Sequence, residues 1–306
     1  MKLRIATRGS HLARTQATFV ADELVALGHE TELVIVTTSG DQSDAPTFGA
    51  IGPTGVFVRE IEQALLNDDA DIAVHSFKDL PTQSPEALKL ASIPRREDAA
   101  DVLVIQHDSR SDSRAALPIA NGATVGTSSA RRQAWLKHLR SDIDVQPLRG
   151  NVPTRVGKVG DGYDGVILAA AGLDRLRNST LDDRPDLGLG LGDHIVERLD
   201  PEVFVPAPAQ GAIALQCRAA DGHIVDILSV IAHGPTETCV AVERALLMRV
   251  EGGCDVAFGA YCTEAPDGML QLVAMLERDG QLIATKAHDK NPHALVDIAW
   301  ETLTES

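Results

Sequence analysis

Apolar and polar positions along the first 98 residues follow two rhythms that take turns. Leu3–Thr7 is a mostly apolar run of strand length. His11–Leu27 follows with Leu12, Phe19, Val20, Leu24 and Leu27 on one helical face, and Gly28 stands where that helix ends. Leu33–Thr37 is a continuous apolar run, the pattern of a buried parallel strand. Val56–Leu66 spaces Phe57, Ile61 and Leu65 four apart, and Asp71–His75 is strand-like again. Strand and helix in alternation predict an open parallel sheet with flanking helices.

The rhythm resumes after Pro94. Asp101–Gln106, Ala123–Gly126, Ile143–Leu148 and Asp164–Ala169 read as strands, with helices at Ala130–Leu139 and Val152–Val159. A Gly- and Asp-rich stretch from Asn178 to Asp193 reads as a surface loop, and Ala212–Gln216 as a further strand. The last third changes character. Helical patterns at His223–Ile231 and Glu237–Val250 precede Cys254. Three strand-like runs follow (Val256–Cys262, Leu270–Glu277, Leu282–Ala287), split by Asp267-Gly268 and Asp279-Gly280, and a helix over Pro292–Leu303 closes the chain. The fold class is therefore α/β: two α/β domains with mainly parallel sheets, then a C-terminal α+β domain with a three-stranded antiparallel sheet.

Composition narrows the function. A chain of 306 residues with 44% hydrophobic positions can form several packed domains. No apolar run reaches the roughly 18 residues that a spanning helix needs, and Met1-Lys2-Leu3-Arg4-Ile5 opens directly on a strand without a signal-peptide core. The four cysteines (Cys217, Cys239, Cys254, Cys262) lack metal-ligand spacing, so no metal site is expected, and reduced thiols fit a cytoplasmic protein. The net charge of −16 argues against nucleic acid as a partner, because phosphate binding depends on Lys and Arg patches. An ordinary acidic surface and a high-salt cytoplasm both account for that charge.

Four features fall just past the carboxyl ends of predicted strands, where open α/β sheets bind ligands. They are Arg8-Gly9-Ser10, His75-Ser76-Phe77-Lys78-Asp79, Gly126-Thr127-Ser128-Ser129-Ala130-Arg131-Arg132 and Arg149-Gly150-Asn151. The third is the sharpest. Thr127, Ser128 and Ser129 supply hydroxyls and an N-cap, and the helix start offers free N–H groups to an anion. Arg131 and Arg132 in that first turn oppose the helix dipole, an unfavourable placement worth about 0.3–1 kcal/mol each that a bound anion would offset. Arg155 and Arg175 lie at the same rim, so a nest of guanidiniums able to grip carboxylates is expected. Lys78 and Asp79 form either a surface ion pair or, with Asp79 facing a ligand, a carboxylate able to stabilise a developing cation. Cys254 is either a buried packing residue or, given Gly252 and Gly253, an accessible thiol able to hold a ligand covalently. His75, Cys217, Cys239 and Cys262 read as packing residues.

Taken together these motifs resemble the porphobilinogen deaminase family. The resemblance is carried by Ile5-Ala6-Thr7-Arg8-Gly9-Ser10, Ala73-Val74-His75-Ser76-Phe77-Lys78-Asp79-Leu80-Pro81, Gly126–Gln133, Leu148–Arg155, Ala171–Leu176, Pro206–Ala212 and Glu251-Gly252-Gly253-Cys254, in family order. It implies a transferase of porphyrin and heme biosynthesis. Four porphobilinogen molecules condense head to tail with loss of ammonia to give hydroxymethylbilane, a linear tetrapyrrole, on a dipyrromethane primer linked to Cys254. By the same resemblance, Asp79 contacts pyrrole N–H groups and stabilises the azafulvene cation formed as ammonia leaves. Arg8, Ser10, Lys78, Thr127, Ser129, Arg131, Arg132, Arg149, Arg155 and Arg175 hold acetate and propionate groups, Phe57 stacks near the cofactor, and Gln210 lies at the cleft.

The resemblance further implies a periplasmic-binding-protein-like pair of domains (1–98 with 200–218, and 99–199), a cysteine-bearing third domain (219–306), and a cytoplasmic monomer. Two departures stand out. Ile51-Gly52-Pro53-Thr54-Gly55 lacks the lysine usual in the family, and the segment 178–200 is longer than usual. The rival reading is a non-catalytic module that closes two α/β lobes on an anion, which would need neither Cys254 nor Asp79.

Overall fold

The structure, a computed structural model, describes residues 1–37, 58–111, 117–181, 191–250 and 256–305. Contacts divide it into two compact units. Unit 1 comprises 1–97, 179–181 and 211–237; unit 2 comprises 98–178, 182–210 and 238–306.

Unit 1 is built on a five-stranded sheet in the order β2-β1-β3-β10-β4. β1 (Lys2–Arg8) runs parallel to β2 (Glu30–Val36) and to β3 (Ile72–Ser76). β10 (Ile213–Arg218) then runs antiparallel to both β3 and β4 (Leu88–Ser92). The sheet is thus mixed, with its parallel half at β2-β1-β3. Helix α1 (His11–Ala26) starts where the Ser10 side chain accepts from the Ala13 N–H, and the chain leaves it through Gly28 at φ +88°. Its inward stripe is Ala17, Val20, Ala21 and Leu24, packed with Leu3, Ile5 and Ile72. A fully buried leucine of this kind contributes roughly 1.5–3 kcal/mol.

Phe19 and Leu27, expected on the apolar face, are instead exposed, because the buried stripe is centred on the small residues that let α1 lie close to the sheet. The run at Leu33–Thr37 also differs from expectation. Its strand β2 is the sheet edge and is only half-buried. Helix α2 spans Arg59–Leu66 and buries Ile61 and Leu65 as expected, whereas Phe57 lies outside the described residues.

Unit 2 repeats the layout. Its sheet runs β7-β6-β8-β5-β9, with β6 (Thr124–Gly126) parallel to β7 (Asp144–Gln146) and β8 (Gly165–Ala169). β5 (Asp101–Gln106) is antiparallel to β8 and to β9 (His194–Arg198). Helices α3 (Ala130–Leu139), α4 (Val152–Val156) and α5 (Ala170–Arg177) follow β6, β7 and β8.

The same unit holds the antiparallel sheet β11 (Phe258–Glu264), β12 (Leu270–Arg278) and β13 (Gln281–Asp289). Alternate residues of β12 serve two cores, as the period of a strand requires. Val273 and Met275 pack with Leu103, Val125 and Phe204. Leu272, Ala274 and Leu276 pack with Leu246, Leu295 and Ala299, from helices running to Val250 and from Pro292 to Thr304.

Helix α6 (Gly222–Ser229), which the sequence division assigned to the third domain, buries Ile224, Ile227 and Leu228 in the core of unit 1. The return segment 200–218 is likewise shared. Phe204 and Val205 pack in unit 2, and β10 lies in the sheet of unit 1. Cys217, Cys239 and Cys262 are buried free thiols, consistent with packing roles.

Candidate functional site

In unit 1 the parallel strands β1 and β3 end side by side, and each delivers its motif to that edge. Arg8 is the last residue of β1, and Ser10 caps α1 two residues on. After β3 the chain makes a tight 3-10 turn over Phe77–Asp79. Phe77 and Leu80 are buried, the Phe77 N–H donates to the Ala212 carbonyl at 3.0 Å, and the Leu80 N–H donates to the Phe77 carbonyl at 3.2 Å. Apolar anchors on either side therefore hold Lys78 and Asp79 out at the surface. Behind them, Gln16 and Ser76 exchange hydrogen bonds at 2.9 and 3.1 Å, which ties α1 to the end of β3.

In unit 2 the corresponding edge is formed by β7-β6-β8. Thr127 follows β6; it is buried, and its Oγ accepts the Ser129 N–H at 3.2 Å. Ser129 occupies the N-cap position of α3, but its hydroxyl makes no capping bond. Ser128 instead knits the loop to the next strand end, donating to the Leu148 carbonyl at 2.9 Å and accepting its N–H at 3.0 Å. That fixes exposed Arg149 beside it. Gly150 then turns the chain at φ +116°, and Asn151 caps α4 by accepting the Thr154 N–H. Arg155 leans back from α4 to donate to the Gly150 carbonyl at 2.7 Å. Arg175 is half-buried in the last turn of α5.

The arginine pair of α3 departs from expectation. Both residues are buried, and what offsets their opposition to the dipole lies within the protein. Asp101, the fully buried first residue of β5, accepts from Nε and Nη2 of Arg132 at 3.2 and 2.7 Å. Its other oxygen lies 2.8 Å from Nη2 of Arg131, an ion-pair contact without hydrogen-bond alignment. Arg131 also donates to the Val205 carbonyl at 2.7 Å and lies over the Phe204 ring at 6.0 Å; Arg132 donates to the Ile167 carbonyl at 3.0 Å.

Burial alone pushes the Asp101 carboxyl up. The two guanidiniums, with hydrogen bonds from Arg132 and Gln210, more than reverse this and hold it well below the carboxylate range. Burial lowers Arg131, with Asp101 opposing the shift. Burial and then the charge of Arg132 lower Arg155. Two guanidiniums thus share one carboxylate, a third stands near, and the surplus charge suits anionic ligand groups.

Gln210, expected to line the cleft, is fully buried. Its amide nitrogen is committed to the Ala99 and Ala100 carbonyls and to Asp101 at 2.8, 3.3 and 3.0 Å. Sequence reasoning passed over Asp101, although an acid opening the apolar run Asp101–Gln106 is a signal for a buried, paired carboxylate. Cys254, Phe57 and the glycine-rich stretch 51–55 lie outside the described residues. Among the described residues no cluster of His, Cys, Asp and Glu could hold a metal ion, and no single helix is long and apolar enough to cross a membrane.

Parallel strands that end in cationic groups on one sheet, and in an exposed carboxylate beside cationic groups on another, define an α/β enzyme that acts on an anionic small molecule. Family comparison agrees and is more specific. Residues 3–226 match the porphobilinogen deaminase dipyromethane cofactor binding domain, and residues 237–302 match the porphobilinogen deaminase C-terminal domain.

The chain belongs to the porphobilinogen deaminase family. It is 44% identical to porphobilinogen deaminase of Mycobacteroides abscessus (84% of this chain, 78% of the relative). It is 43% identical to that of Xanthomonas axonopodis pv. citri (94% and 90%). Among solved structures it is similar to the periplasmic VFT2 domain of Bordetella pertussis BvgS, at 16% identity and a TM-score of 0.40 over 74% of this chain and 85% of that one. Its function is the family's. It condenses four porphobilinogen molecules to hydroxymethylbilane for tetrapyrrole synthesis, on a dipyrromethane cofactor. The site residues fit that cofactor, since its carboxylates match a buried guanidinium cluster with surplus positive charge.

Proposed function

We propose that Asp79 is the catalytic carboxylate of this condensation and that Cys254 carries the dipyrromethane. The observation that carries the reading is the exposed carboxylate of Asp79, held out between buried Phe77 and Leu80 at the end of β3. A carboxylate so placed accepts pyrrole N–H groups and stabilises the cation that develops as ammonia departs. When bound, the dipyrromethane supplies the pyrrole terminus to which the first substrate unit is joined.

Arg131, Arg132, Arg149, Lys78, Thr127 and Ser129 hold the cofactor's carboxylate side chains, with Phe57 against its rings. Arg8, Ser10, Arg149, Arg155 and Arg175 hold those of the substrate, each grip worth roughly 1.5–3 kcal/mol as a charge-assisted bond. Gln210 belongs to the same set through Asp101, to which it donates. The enzyme works in the cytoplasm and as a monomer; the buried free thiols of Cys217, Cys239 and Cys262 support the compartment.

Intact mass of the protein beside its Cys254→Ser variant tests the assignment. The parent is expected to exceed its sequence mass by one dipyrromethane and to gain discrete pyrrole steps on incubation with porphobilinogen. The variant should show neither. A parent that gains no mass under any of these conditions, or a variant that gains as much, overturns it.

A further inference from the structure

Asp101 lies in none of the motifs that carry the family likeness, yet it joins three residues assigned to the site: Arg131, Arg132 and Gln210. We propose that Asp101 is a positioning residue for ligand carboxylates, aiming the two guanidiniums of α3 by occupying the Nε–Nη2 edge of Arg132 and by ion-pairing with Nη2 of Arg131. The inference rests on the reading that Arg131 and Arg132 hold ligand carboxylates.

A guanidinium has five N–H donors in a fixed fork. Arg132 gives three to the protein: Nε and Nη2 to Asp101, and Nη1 to the Ile167 carbonyl. Arg131 gives one to the Val205 carbonyl and directs Nη2 at Asp101. What remains for a ligand is one hydrogen on each Nη of Arg132, against Nε–H, one Nη1 hydrogen and the Nη2 hydrogens of Arg131, which Asp101 attracts without hydrogen-bond alignment. Neither side chain is free to reorient while Asp101 holds it.

Asp101 is itself held. It opens β5, whose Asp101 to Ala169 register fixes the backbone against β8, and the Gln210 amide bonds both its carboxylate and the preceding two carbonyls. Two like charges buried side by side repel. Without the carboxylate between them, the arginines would swing toward water and their aim would be lost.

Primer loading tests the assignment with Asp101→Asn, Asp101→Glu and Arg131→Gln. Unloaded protein is incubated with a series of porphobilinogen concentrations, and the fraction of folded protein that carries the dipyrromethane is counted by intact mass, beside the melting temperature. Lost aim weakens the grip on the cofactor's carboxylates, so Asp101→Asn should need at least tenfold more porphobilinogen to half-load. A merely structural role would lower the melting temperature but leave the half-loading concentration of the folded molecules at the parent value, and that result overturns the proposal.

Should Asp101→Asn fail to fold, Asp101→Glu decides. It keeps the charge but moves it by one methylene, so a half-loading concentration raised several-fold is expected and a parental value overturns the proposal. Arg131→Gln leaves Asp101 and Arg132 charge-balanced and probes the underlying reading separately. A parental half-loading concentration in that variant would mean that the arginines do not hold the cofactor at all.

Discussion

The imidazole of His75 lies 3.1 Å from the amide oxygen of Gln216, and that amide determines which ring nitrogen carries the proton. Gln216 donates its amide nitrogen to Glu62 at 3.0 Å, so its oxygen is the atom turned to His75, and Nε2 of the ring must be the donor. His75 is buried, and burial pushes its pKa down to about 4, with the Gln216 bond opposing the shift only in part. The histidine therefore folds neutral.

A base whose pKa falls on folding adds stability at pH values above its unfolded pKa, near 6.5, and loses it as pH drops toward 4. The full effect is roughly 3 kcal/mol. Urea unfolding of the parent and His75→Gln at pH 7.5, 6, 5 and 4.5 isolates it. The gap between the two proteins should shrink steadily on acidification, whereas a gap constant with pH would refute the assignment.

Asp79→Asn tests the catalytic carboxylate without disturbing its frame. Asn is isosteric and the position is exposed, so the turn pinned by Phe77 and Leu80 should persist and the melting temperature should move by less than about 2 °C. The amide cannot stabilise a developing cation as an anion does. A fall in kcat of about 10²–10³ is expected, the size typical of losing one electrostatic stabiliser. Single-turnover rates on primer-loaded protein read it directly, and a rate within threefold of the parent would remove Asp79 from the mechanism.

Gly150 controls two arginines through backbone geometry alone. At φ +116° an L side chain is strained, and a Cβ there would meet Cγ2 and Cβ of Thr154 at 2.8 and 2.9 Å. The Gly150 carbonyl also receives the Arg155 Nε, and Arg149 precedes it in the chain. Gly150→Ala should destabilise by about 1–3 kcal/mol and raise KM for porphobilinogen with little change in kcat. Unfolding curves and initial rates check the two parts independently. A stability loss without a KM change would mean that the arginines do not depend on this turn.

Much of this architecture could be read in the sequence because strong periodicity survives folding. Asp101–Gln106 and Ala130–Leu139 have the bounds their patterns predict. The elements that escaped detection share a physical cause. β4 and β9 are the outermost strands of their sheets, so Lys89, Glu197 and Arg198 interrupt the apolar run that an interior strand would show. β2 misled in the opposite direction, since a run of Leu33, Val34, Ile35 and Val36 carries no sign that it forms an edge. Helix α5 starts at Ala170, directly after β8 ends at Ala169, and Ala169 offers no capping side chain, so no punctuation marks it.

The cationic motifs were legible because chemistry-bearing residues follow the strand ends. The partner of Arg131 and Arg132 was not, because Asp101 is 31 residues from Arg132 and only the sheet brings them together.

Glu243 makes the same point and gives the strongest stability prediction. Its fully buried carboxylate accepts the Ala209 N–H on one oxygen, at 2.6 Å, and the Cys262 N–H on the other, at 2.8 Å. Ala209 needs such a clamp, because it sits at φ +59°, a conformation that costs an L residue roughly 1 kcal/mol or more. A glutamine at 243 offers one acceptor and one donor, so whichever way the amide turns, an NH₂ group faces a backbone N–H. The variant should therefore lose one buried hydrogen bond and gain one donor–donor clash, a destabilisation of about 2–4 kcal/mol. Glu243→Asp keeps both acceptors but shortens the reach, and should be less harmful. Urea unfolding of the three proteins at pH 7 ranks them: the parent highest, then Asp, then Gln. If Gln equalled or exceeded Asp, length and packing rather than the paired acceptors would govern the site.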